Sequence, residues 1–352
     1  MASDELTLHT DANGHRSRSD AIDAGREHEA AGRLLDAIDA YHEALLAGQD
    51  HDLARHTIHL RHSAALAMPA TRPAPPRPRP VDPFPAIDGV PEISPDSIDV
   101  DVLGGTILHH GALIIRGLVD PSTAGELQTM AATAIHDRDA ATASPGIPEA
   151  ASSYREFEPQ LPRTAKERPW VRATGGMLAA DAPTVLCQVL ELLGETPLLT
   201  AMTEHLGERP ALAFNKCVLR KVRESHPTWH QDGAFMGGEV RTLDLWLSLS
   251  DCGTGTSASG LDIMPRRFDD LLPTQTHGAV FPSSIGEALL EEVAPDTRWI
   301  APRFAPGDAV VFDERLVHRT GVSPEYTAIR YAVEAWFFAP STLPDGYLPI
   351  LA

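Results

Sequence analysis

TLDLWLSLSD at residues 242–251 and TAIRYAVEAWFF at residues 327–338 are two of four short runs that dominate the C-terminal part of the chain. The other two are ALAFNKCVLRKV at residues 211–222 and AVVFDERLVHRT at residues 309–320. All four are rich in aliphatic, β-branched and aromatic residues that partly alternate with polar ones, and Gly and Pro separate them, which is typical of strands. Several short strands without long helices between them predict an antiparallel sandwich or barrel.

The residues before these strands carry helical patterns. GALIIRGLVD at residues 111–120 predicts a short strand, and the helical segment that follows it begins with Pro121, a residue common in the first turn of a helix. Residues 181–207 predict two helices with a break near residues 195–197. Residues 137–175 mix Pro, Gly and charge without periodicity and predict a long irregular loop, from which they could cover a site. Together these patterns predict an α+β domain in which helices flank the strands.

The first 97 residues predict two further units. AGRLLDAIDAYHEALLAG at residues 31–48 places apolar residues three or four apart and resembles the first half of a tetratricopeptide-type helical hairpin. No second copy of this pattern occurs, so residues 1–68 are expected to form a small helical hairpin for docking or self-association. Residues 69–97 are dense in proline and predict a linker, which leaves residues 98–352 as the main domain.

Composition argues against several classes of partner. The chain has 29 Lys and Arg against 49 Asp and Glu, a formal charge of −20, which repels phosphate backbones and anionic lipid surfaces at long range. Its three cysteines are widely spaced, so neither a disulfide framework nor a thiolate zinc site is indicated. The chain lacks the apolar region of a signal peptide and any run approaching about 18 apolar residues. We therefore expect a cytoplasmic protein that binds neither nucleic acid nor membranes.

The most specific chemical signal lies in HPTWHQDGAFM at residues 226–236. Residues i and i+2 of an extended chain point to the same face, so His230 and Asp232 can present a nitrogen and an oxygen to one ion. His318 follows near the end of the run at residues 309–320. Two histidines and one carboxylate form the facial triad that is typical of non-haem iron(II) and that leaves adjacent coordination positions open.

Arg330 is the fourth element of this constellation. Ala328 and Ala332 lie on the same face of its predicted strand and leave room for a ligand beside the guanidinium. A bidentate grip on a carboxylate is the natural use of such a group. A salt bridge with Glu334 on the same strand face is the alternative.

His230-x-Asp232, His318 and Arg330, in this order and spacing, resemble the phytanoyl-CoA dioxygenase family of 2-oxoglutarate oxygenases. The resemblance covers roughly residues 98–340 and implies a double-stranded β-helix, or jelly-roll, core. It also implies that the two histidines and the aspartate bind iron(II) and that the arginine pairs with the distal carboxylate of 2-oxoglutarate. Further similar stretches are PTWHQDGA, TLDLWLSLSD, GLDIMPRRFDD and APGDAVVFDERLVHRTGVS, although MPRRF departs from the Pro-Gly-Ser-His turn of the family.

The resemblance extends to the reaction and to the cavity. It implies that 2-oxoglutarate and O2 are converted to succinate and CO2 while a small molecule of the secondary-metabolite type is hydroxylated. Asp232 fills the position at which halogenating relatives have a small residue, so hydroxylation is favoured over chlorination. Asn215 is expected to contact the co-substrate and Trp246 to line the same pocket, with core packing as the alternative for the tryptophan.

Two other functions stay open from the residues alone. A cupin-like iron oxygenase would use no 2-oxoglutarate, and Arg330 would hold the carboxylate of the substrate itself. A scaffold protein would recruit a partner through its N-terminal helices and carry a catalytically silent barrel. A helical zinc protease is not indicated, although His226 and His230 are four residues apart, because Pro227 breaks a helix there.

Overall fold

The computed structural model describes residues 17–68, 80–143, 153–158, 167–223, 228–236, 240–344 and 346–352. Within these ranges the helices α1 to α9 are, in chain order, Arg18–Ala30, Leu34–Leu46, His51–Ala67, Val100–His110, Pro121–Ala143, Glu167–Ala173, Pro183–Gly194, Pro197–Leu206 and Glu287–Val293. The strands β1 to β13 within the same ranges are Glu92–Ile93, Ala112–Ile115, Gly176–Leu178, Ala211–Ala213, Val218–Val222, Thr242–Ser248, Cys252–Gly253, Leu261–Arg267, Arg303–Phe304, Ala309–Phe312, Leu316–Thr320, Arg330–Phe338 and Pro349–Leu351.

The described strands form one nine-stranded sheet and two smaller sheets, β8 with β11 and β7 with β9. In the large sheet β10, β6 and β12 are antiparallel neighbours. β6 pairs with β12 from Thr242 opposite Phe338 to Ser248 opposite Ala332. The prediction of a mixed helical and antiparallel β protein is confirmed, whereas a jelly-roll core stays a prediction.

The large sheet packs differently on its two faces because successive residues of a strand point to opposite sides. Leu245 and Val333 lie on the face that is buried against helices of the main domain. Trp246 and Ala332, one residue away on the same strands, lie in a second core with Ile263 of β8. The second core therefore sits between the large sheet and the β8–β11 sheet.

The N-terminal region consists of three helices in the described residues. α1 and α2 pack on each other at Gly25, where an added Cβ would collide with the ring of Tyr41. The Tyr41 hydroxyl donates a hydrogen bond to Glu29 at 3.0 Å, which further ties the two helices together. The hairpin that the sequence predicts for residues 1–68, and its use in docking or self-association, stay predictions.

The third helix, α3, is seated on the main domain. Ile58 is fully buried within the main hydrophobic core. The guanidinium of Arg61 donates to the carbonyl of Leu351 at 2.9 Å, and Nδ1 of His62 is 2.7 Å from the carbonyl of Pro349. α3 thus contributes to the core of the domain that the sequence placed at residues 98–352, and the boundary expected at residue 68 stays a prediction.

The predicted break between two helices at residues 195–197 is confirmed, since α7 ends at Gly194 and α8 begins at Pro197. The axes of α7 and α8 are bent by 83° at this break. No single helix among the described residues has the length and apolar composition needed to cross a membrane. Within those residues, only this bent pair reaches that length and composition when its two helices are taken together.

The predicted irregular loop at residues 137–175 is wrong at both ends. α5 continues to Ala143 because its last residues are rich in alanine, the strongest helix former. α6 occupies Glu167–Ala173, while residues 144–152 and 159–166 lie outside the described part. The predicted linker also ends before residue 97, because Glu92–Ile93 forms β1, a parallel neighbour of β2. Residues 69–79 of the predicted linker lie outside the described ranges.

Substitution of Ile58 by alanine is expected to destabilise the main domain by about 2–5 kcal/mol, because it removes buried methylene groups from the main core. All five tryptophans follow residue 169, so tryptophan fluorescence during chemical denaturation reports unfolding of that domain. Leu66→Ala on the same helix is the matched control, since Leu66 is 45% exposed. An unchanged free energy of unfolding for Ile58→Ala would show that α3 is not part of the domain core.

Candidate metal centre

Three polar side chains meet where two distant segments pair. The backbones of His230 and His318 form an isolated antiparallel bridge in which each N–H donates to the carbonyl of the other at 3.1 Å. The Nε2 atoms of the two histidines lie 3.6 and 3.9 Å from the carboxylate oxygens of Asp232. One ligand atom from each of the three residues lies within 4.8 Å of the others, so the group could hold one metal ion.

The local backbone aims these side chains. Asp232 begins a short 3₁₀ turn that ends at Phe235, so its carboxylate turns back toward the imidazole of His230. On the other side the pairing of β11 with β8 changes register between Leu316 and His318. Irregularities of this kind re-aim side chains and are frequent beside active sites.

The hydrogen bonds of the two rings select the nitrogen that faces the ion. Nδ1 of His230 lies 2.9 Å from the carbonyl of Thr228, and Nδ1 of His318 lies 3.3 Å from the carbonyl of Leu316. A carbonyl only accepts, so each Nδ1 carries the proton and each Nε2 keeps its lone pair. This arrangement of a fixed tautomer with a free Nε2 is typical of metal-binding histidines.

Electrostatics also prepare the site for a cation. Burial, with a smaller contribution from His230, lowers the pKa of His318 to about 4, so its ring is neutral and able to bind a metal at neutral pH. Asp244 on β6 is fully buried, and among the described residues its carboxyl group can share a proton only with the neighbouring carboxylate of Asp232. Burial and the charges of Asp232 and Glu314 raise the pKa of Asp244 well above its ordinary value.

Gln231, between two of the candidate ligands, holds the turn in place and was missed by the sequence argument. Its side chain is buried; Oε1 accepts from the backbone N–H of Leu272 at 2.7 Å and Nε2 donates to the carbonyl of Arg315 at 2.7 Å. Both partners lie far away in the sequence, so no local pattern could reveal this role.

Arg330, the first residue of β12, is buried beside the second core with a relative exposure of 1%. Its Nη1 makes two long contacts, 3.4 Å to the carbonyl of Ser259 and 3.3 Å to that of Gly260. Its Nε has no hydrogen-bond partner within the part of the chain that is described. Burial lowers the pKa of the guanidinium, opposed by the charge of Glu334.

The alternative salt bridge between Arg330 and Glu334 is not found. Glu334 instead pairs with Arg220 of β5 at 2.7 Å, and among the described ion pairs none involves Arg330. A buried charge without a partner costs several kcal/mol, which an anionic ligand would offset. The structure thus leaves a buried guanidinium whose Nε has no partner among the described residues and is able to bind an anion.

Trp246 lies beside this guanidinium. The Arg330 guanidinium carbon is 5.4 Å from the centroid of the Trp246 ring, which also packs at 4.9 Å from Phe304. The tryptophan therefore belongs to the core and also lies beside the arginine. A role in core packing and a role in lining a pocket do not exclude each other for Trp246. That it lines a co-substrate pocket stays a prediction.

Asn215 lies elsewhere. Its Oδ1 accepts from the backbone N–H of Leu348 at 3.1 Å and its Nδ2 donates to the carbonyl of Gly346 at 3.3 Å. It lies between β4 and β5, close to the C-terminal end of β12, whereas Arg330 lies at the N-terminal end of that strand. Its described contacts hold the C-terminal segment, and its expected contact with a co-substrate stays a prediction. His226 lies outside the described residues.

No protein-family model matches the chain, and no curated protein matches it. EctD from S. alaskensis with bound Fe is 18% identical, with a TM-score of 0.47 over 67% of this chain and 75% of that one. EvdO2 from Micromonospora carbonacea var. aurantiaca, complexed with 2-oxoglutarate, is 21% identical, with a TM-score of 0.38 over 65% and 86%. The non-haem α-ketoglutarate-dependent epimerase SnoN from nogalamycin biosynthesis is 13% identical, with a TM-score of 0.42 over 68% and 83%.

His318→Ala is expected to abolish tight binding of one divalent metal ion per chain, because two ligands cannot replace a three-ligand face. Anaerobic calorimetric titration with Fe(II), or with Co(II) as a spectroscopic substitute, measures the binding. His277→Ala is the control, because this histidine is exposed and near Glu292 rather than the triad. Equal affinity in the His318 variant and the wild type would rule out the triad as the metal site.

Gln231→Leu is expected to weaken metal binding by about tenfold, since groups that orient metal ligands typically contribute one to two orders of magnitude. The same substitution leaves the N–H of Leu272 and the carbonyl of Arg315 unpaired, so the melting temperature should fall as well. Gln128→Leu on α5 controls for the loss of an amide far from the triad. Unchanged metal affinity would limit Gln231 to a purely structural role.

Proposed function

We propose that the chain is an Fe(II)- and 2-oxoglutarate-dependent oxygenase that acts on a small molecule. The single observation that supports this most is the buried guanidinium of Arg330, which has no described carboxylate partner. A histidine–carboxylate metal site could serve many metals and reactions. The buried guanidinium of Arg330 adds a group that can pair with one carboxylate of a dicarboxylate co-substrate.

The residues present fit both groups. Iron would be held by Nε2 of His230, a carboxylate oxygen of Asp232 and Nε2 of His318, which are nitrogen and oxygen donors suited to Fe(II). The distal carboxylate of 2-oxoglutarate would pair with Arg330, whose Nε is a hydrogen-bond donor without an acceptor among the described residues. When bound, iron, 2-oxoglutarate and O2 supply the oxidising power, with succinate and CO2 as by-products.

The second core provides the surroundings in which such binding is strong. Arg330 and His318 flank a cluster that includes Trp246, Phe312 and Ala332; the His318 ring lies 4.8 Å from that of Phe312. Apolar walls exclude water and lower the local dielectric, which strengthens an arginine–carboxylate pair. The small side chain of Ala332 leaves space on the strand face that Arg330 shares.

We further propose hydroxylation rather than chlorination as the reaction, because the carboxylate of Asp232 occupies a ligand position that a halide would need. The proposed substrate is a small, secondary-metabolite-type molecule, and the proposed fold of the core is a jelly-roll, supported by antiparallel sheets on two sides of one core. Mass spectrometry of products distinguishes the outcomes: a gain of one oxygen indicates hydroxylation, a loss of two hydrogens desaturation, and an unchanged mass epimerisation.

Arg330→Ala is expected to weaken 2-oxoglutarate binding to the metal-loaded, oxygen-free protein by about 10- to 100-fold. The reason is the loss of a charge-assisted pair worth about 1.5–3 kcal/mol. Calorimetric titration with 2-oxoglutarate measures this directly, and Arg303→Ala, which removes an exposed arginine paired with Asp251, is the control.

The melting temperature of a ligand-free, volume-matched Arg330→Met protein separates a ligand-binding role from a structural one. Replacement of an unpaired buried cation by an apolar side chain of similar size is expected to leave the melting temperature unchanged or raised, whereas loss of a structural pair would lower it. No binding of 2-oxoglutarate by the metal-loaded wild type would reject this proposal. It would favour a cupin-like oxygenase in which Arg330 holds the substrate's own carboxylate.

A further inference from the structure

A cavity of about 480 Å³ lies where α5, α6 and the end of β5 meet. Four cationic side chains contribute to its lining: Arg138 from α5, Arg172 from α6, Lys221 from β5 and Arg223, which follows β5. Asp139 is the one carboxylate among the described residues that line it. We call this space the basic cavity. Four positive charges against one negative charge are unusual in a chain whose formal charge is −20.

The single carboxylate is already shared by two of the cations. Arg138 donates to Asp139 at 2.8 Å, and Arg172 lies 4.0 Å from the same carboxylate oxygen. Neither Lys221 nor Arg223 forms an ion pair with a described residue. The basic cavity therefore presents two cations that no carboxylate of the described chain compensates.

Backbone contacts hold these cations close together. The N–H of Lys221 donates to the carbonyl of Gly175 at 2.9 Å. Gly175 has a φ of +77°, and an added Cβ would collide with the carbonyl of Lys221, so only glycine lets the end of α6 approach β5 this closely. On the other side Arg138 donates to the carbonyl of Gly176. Like charges that are held together repel one another, and a bound anion would offset that repulsion.

An adjoining cavity lacks this excess of charge. It has a volume of about 580 Å³ and shares Arg138 and Arg172 with the basic cavity. Its third arginine, Arg168, pairs with the buried carboxylate of Asp181 at 2.8 Å, and Glu156 adds a second carboxylate to the lining. Positive and negative charges are nearly balanced there, so the uncompensated charge is concentrated in the basic cavity.

Two isoleucines give the basic cavity an apolar part. Ile135 belongs to the main hydrophobic core, and Ile329 is partly buried just before β12. The volume of about 480 Å³ falls within the range of about 300–1,000 Å³ that is usual for small-molecule sites. An inorganic anion alone would contact the cations and leave the isoleucines uncovered. The lining therefore suits an organic molecule that carries a compact anionic group.

The basic cavity and Arg330 lie on opposite faces of the large sheet. Lys221 is opposite Tyr331 in the pairing of β5 with β12, and Tyr331 packs against the main hydrophobic core. Arg330 is the preceding residue of β12 and lies beside Trp246 in the second core. Since paired residues share a face and successive residues alternate, a ligand in the basic cavity would not occupy the place of the co-substrate.

We propose that the basic cavity binds a small organic phosphate, with the phosphate on Lys221 and Arg223 and the organic part against Ile135 and Ile329. A phosphate monoester carries up to two negative charges and three strong acceptor oxygens, so it can compensate both cations at once. Guanidinium groups bind phosphate with paired N–H donors, and an ammonium acts as a point charge. The proposed site goes beyond the oxygenase function and does not depend on it.

Calorimetric titration of the full, metal-free chain with phenyl phosphate tests the proposal, with phenol and inorganic phosphate as partial probes. Phenyl phosphate is expected to bind at least about tenfold more tightly than phenol, which lacks the charge. It is also expected to bind about threefold more tightly than inorganic phosphate, which lacks the apolar part. The double variant Lys221→Gln, Arg223→Gln should lose about tenfold or more of the affinity for phenyl phosphate.

Control variants locate the probe and separate charge from general loss of structure. Arg298→Gln removes an exposed cation that does not line the basic cavity, so the affinity for phenyl phosphate should persist. Arg330→Met should likewise leave it unchanged, because Arg330 lies on the other face of the sheet. Exchange of the two cations, Lys221→Arg with Arg223→Lys, keeps both charges and should retain most of the affinity. The ligand-free melting temperature of the glutamine double variant should be unchanged or raised, since like-charge repulsion falls.

Four results would overturn the proposal. They are binding of phenyl phosphate no tighter than that of phenol, binding no tighter than that of inorganic phosphate, undiminished affinity in the glutamine double variant, and loss of affinity in Arg330→Met. The last result would assign the probe to the co-substrate position instead. Because the titration uses neither metal nor 2-oxoglutarate, its outcome is independent of whether the chain is an oxygenase.

Discussion

The alternation of side chains along β6 and β12 is the constraint on which the rest of the molecule depends. Odd-numbered residues such as Leu245 and Val333 pack on the helices, and their even-numbered neighbours Trp246 and Ala332 enter the second core. A slip of one residue in the register would exchange the two sets and turn Arg330 from the second core toward the helix-covered face. The long antiparallel ladder between β6 and β12 therefore determines which polar groups are buried.

Burial gives those polar groups their chemical character. Arg330 and Asp244 are both buried, and among the described residues the Arg330 guanidinium has only the two long contacts of its Nη1 as hydrogen bonds. The Arg330 guanidinium keeps its proton despite burial because a guanidinium does not readily release it. Its charge can therefore be compensated only by binding an anion. The carboxyl responds to burial by favouring its neutral form. The second core thus borders on a permanent positive charge, Arg330 beside Trp246, and on a candidate metal ligand, His318 beside Phe312.

Much of this could be predicted from the sequence because the relevant patterns are local. The strands around residues 242–248 and 330–338 follow from alternation and composition, and His230 and Asp232 follow from their spacing. His318 was added to them because it completes a facial triad, and the structure brings the three side chains together. The role of Gln231 could not be predicted, because its contacts join segments that are far apart in the chain. The continuation of α5 into the expected loop was missed because its alanines have helical propensity without an amphipathic pattern.

The seat of α3 on β13 has a consequence for how the protein is made. Arg61 binds the carbonyl of a residue that lies 290 positions later in the chain. At translation rates of about 5–20 residues per second, the helix emerges from the ribosome some 15–60 s before the strand that accepts it. During that interval α3 can contact α7, whose Cys187 thiol donates to the carbonyl of Ala54, but it lacks its contacts with the C-terminal strand. The packing of α3 is therefore completed in two stages that are separated by the synthesis of most of the sheet.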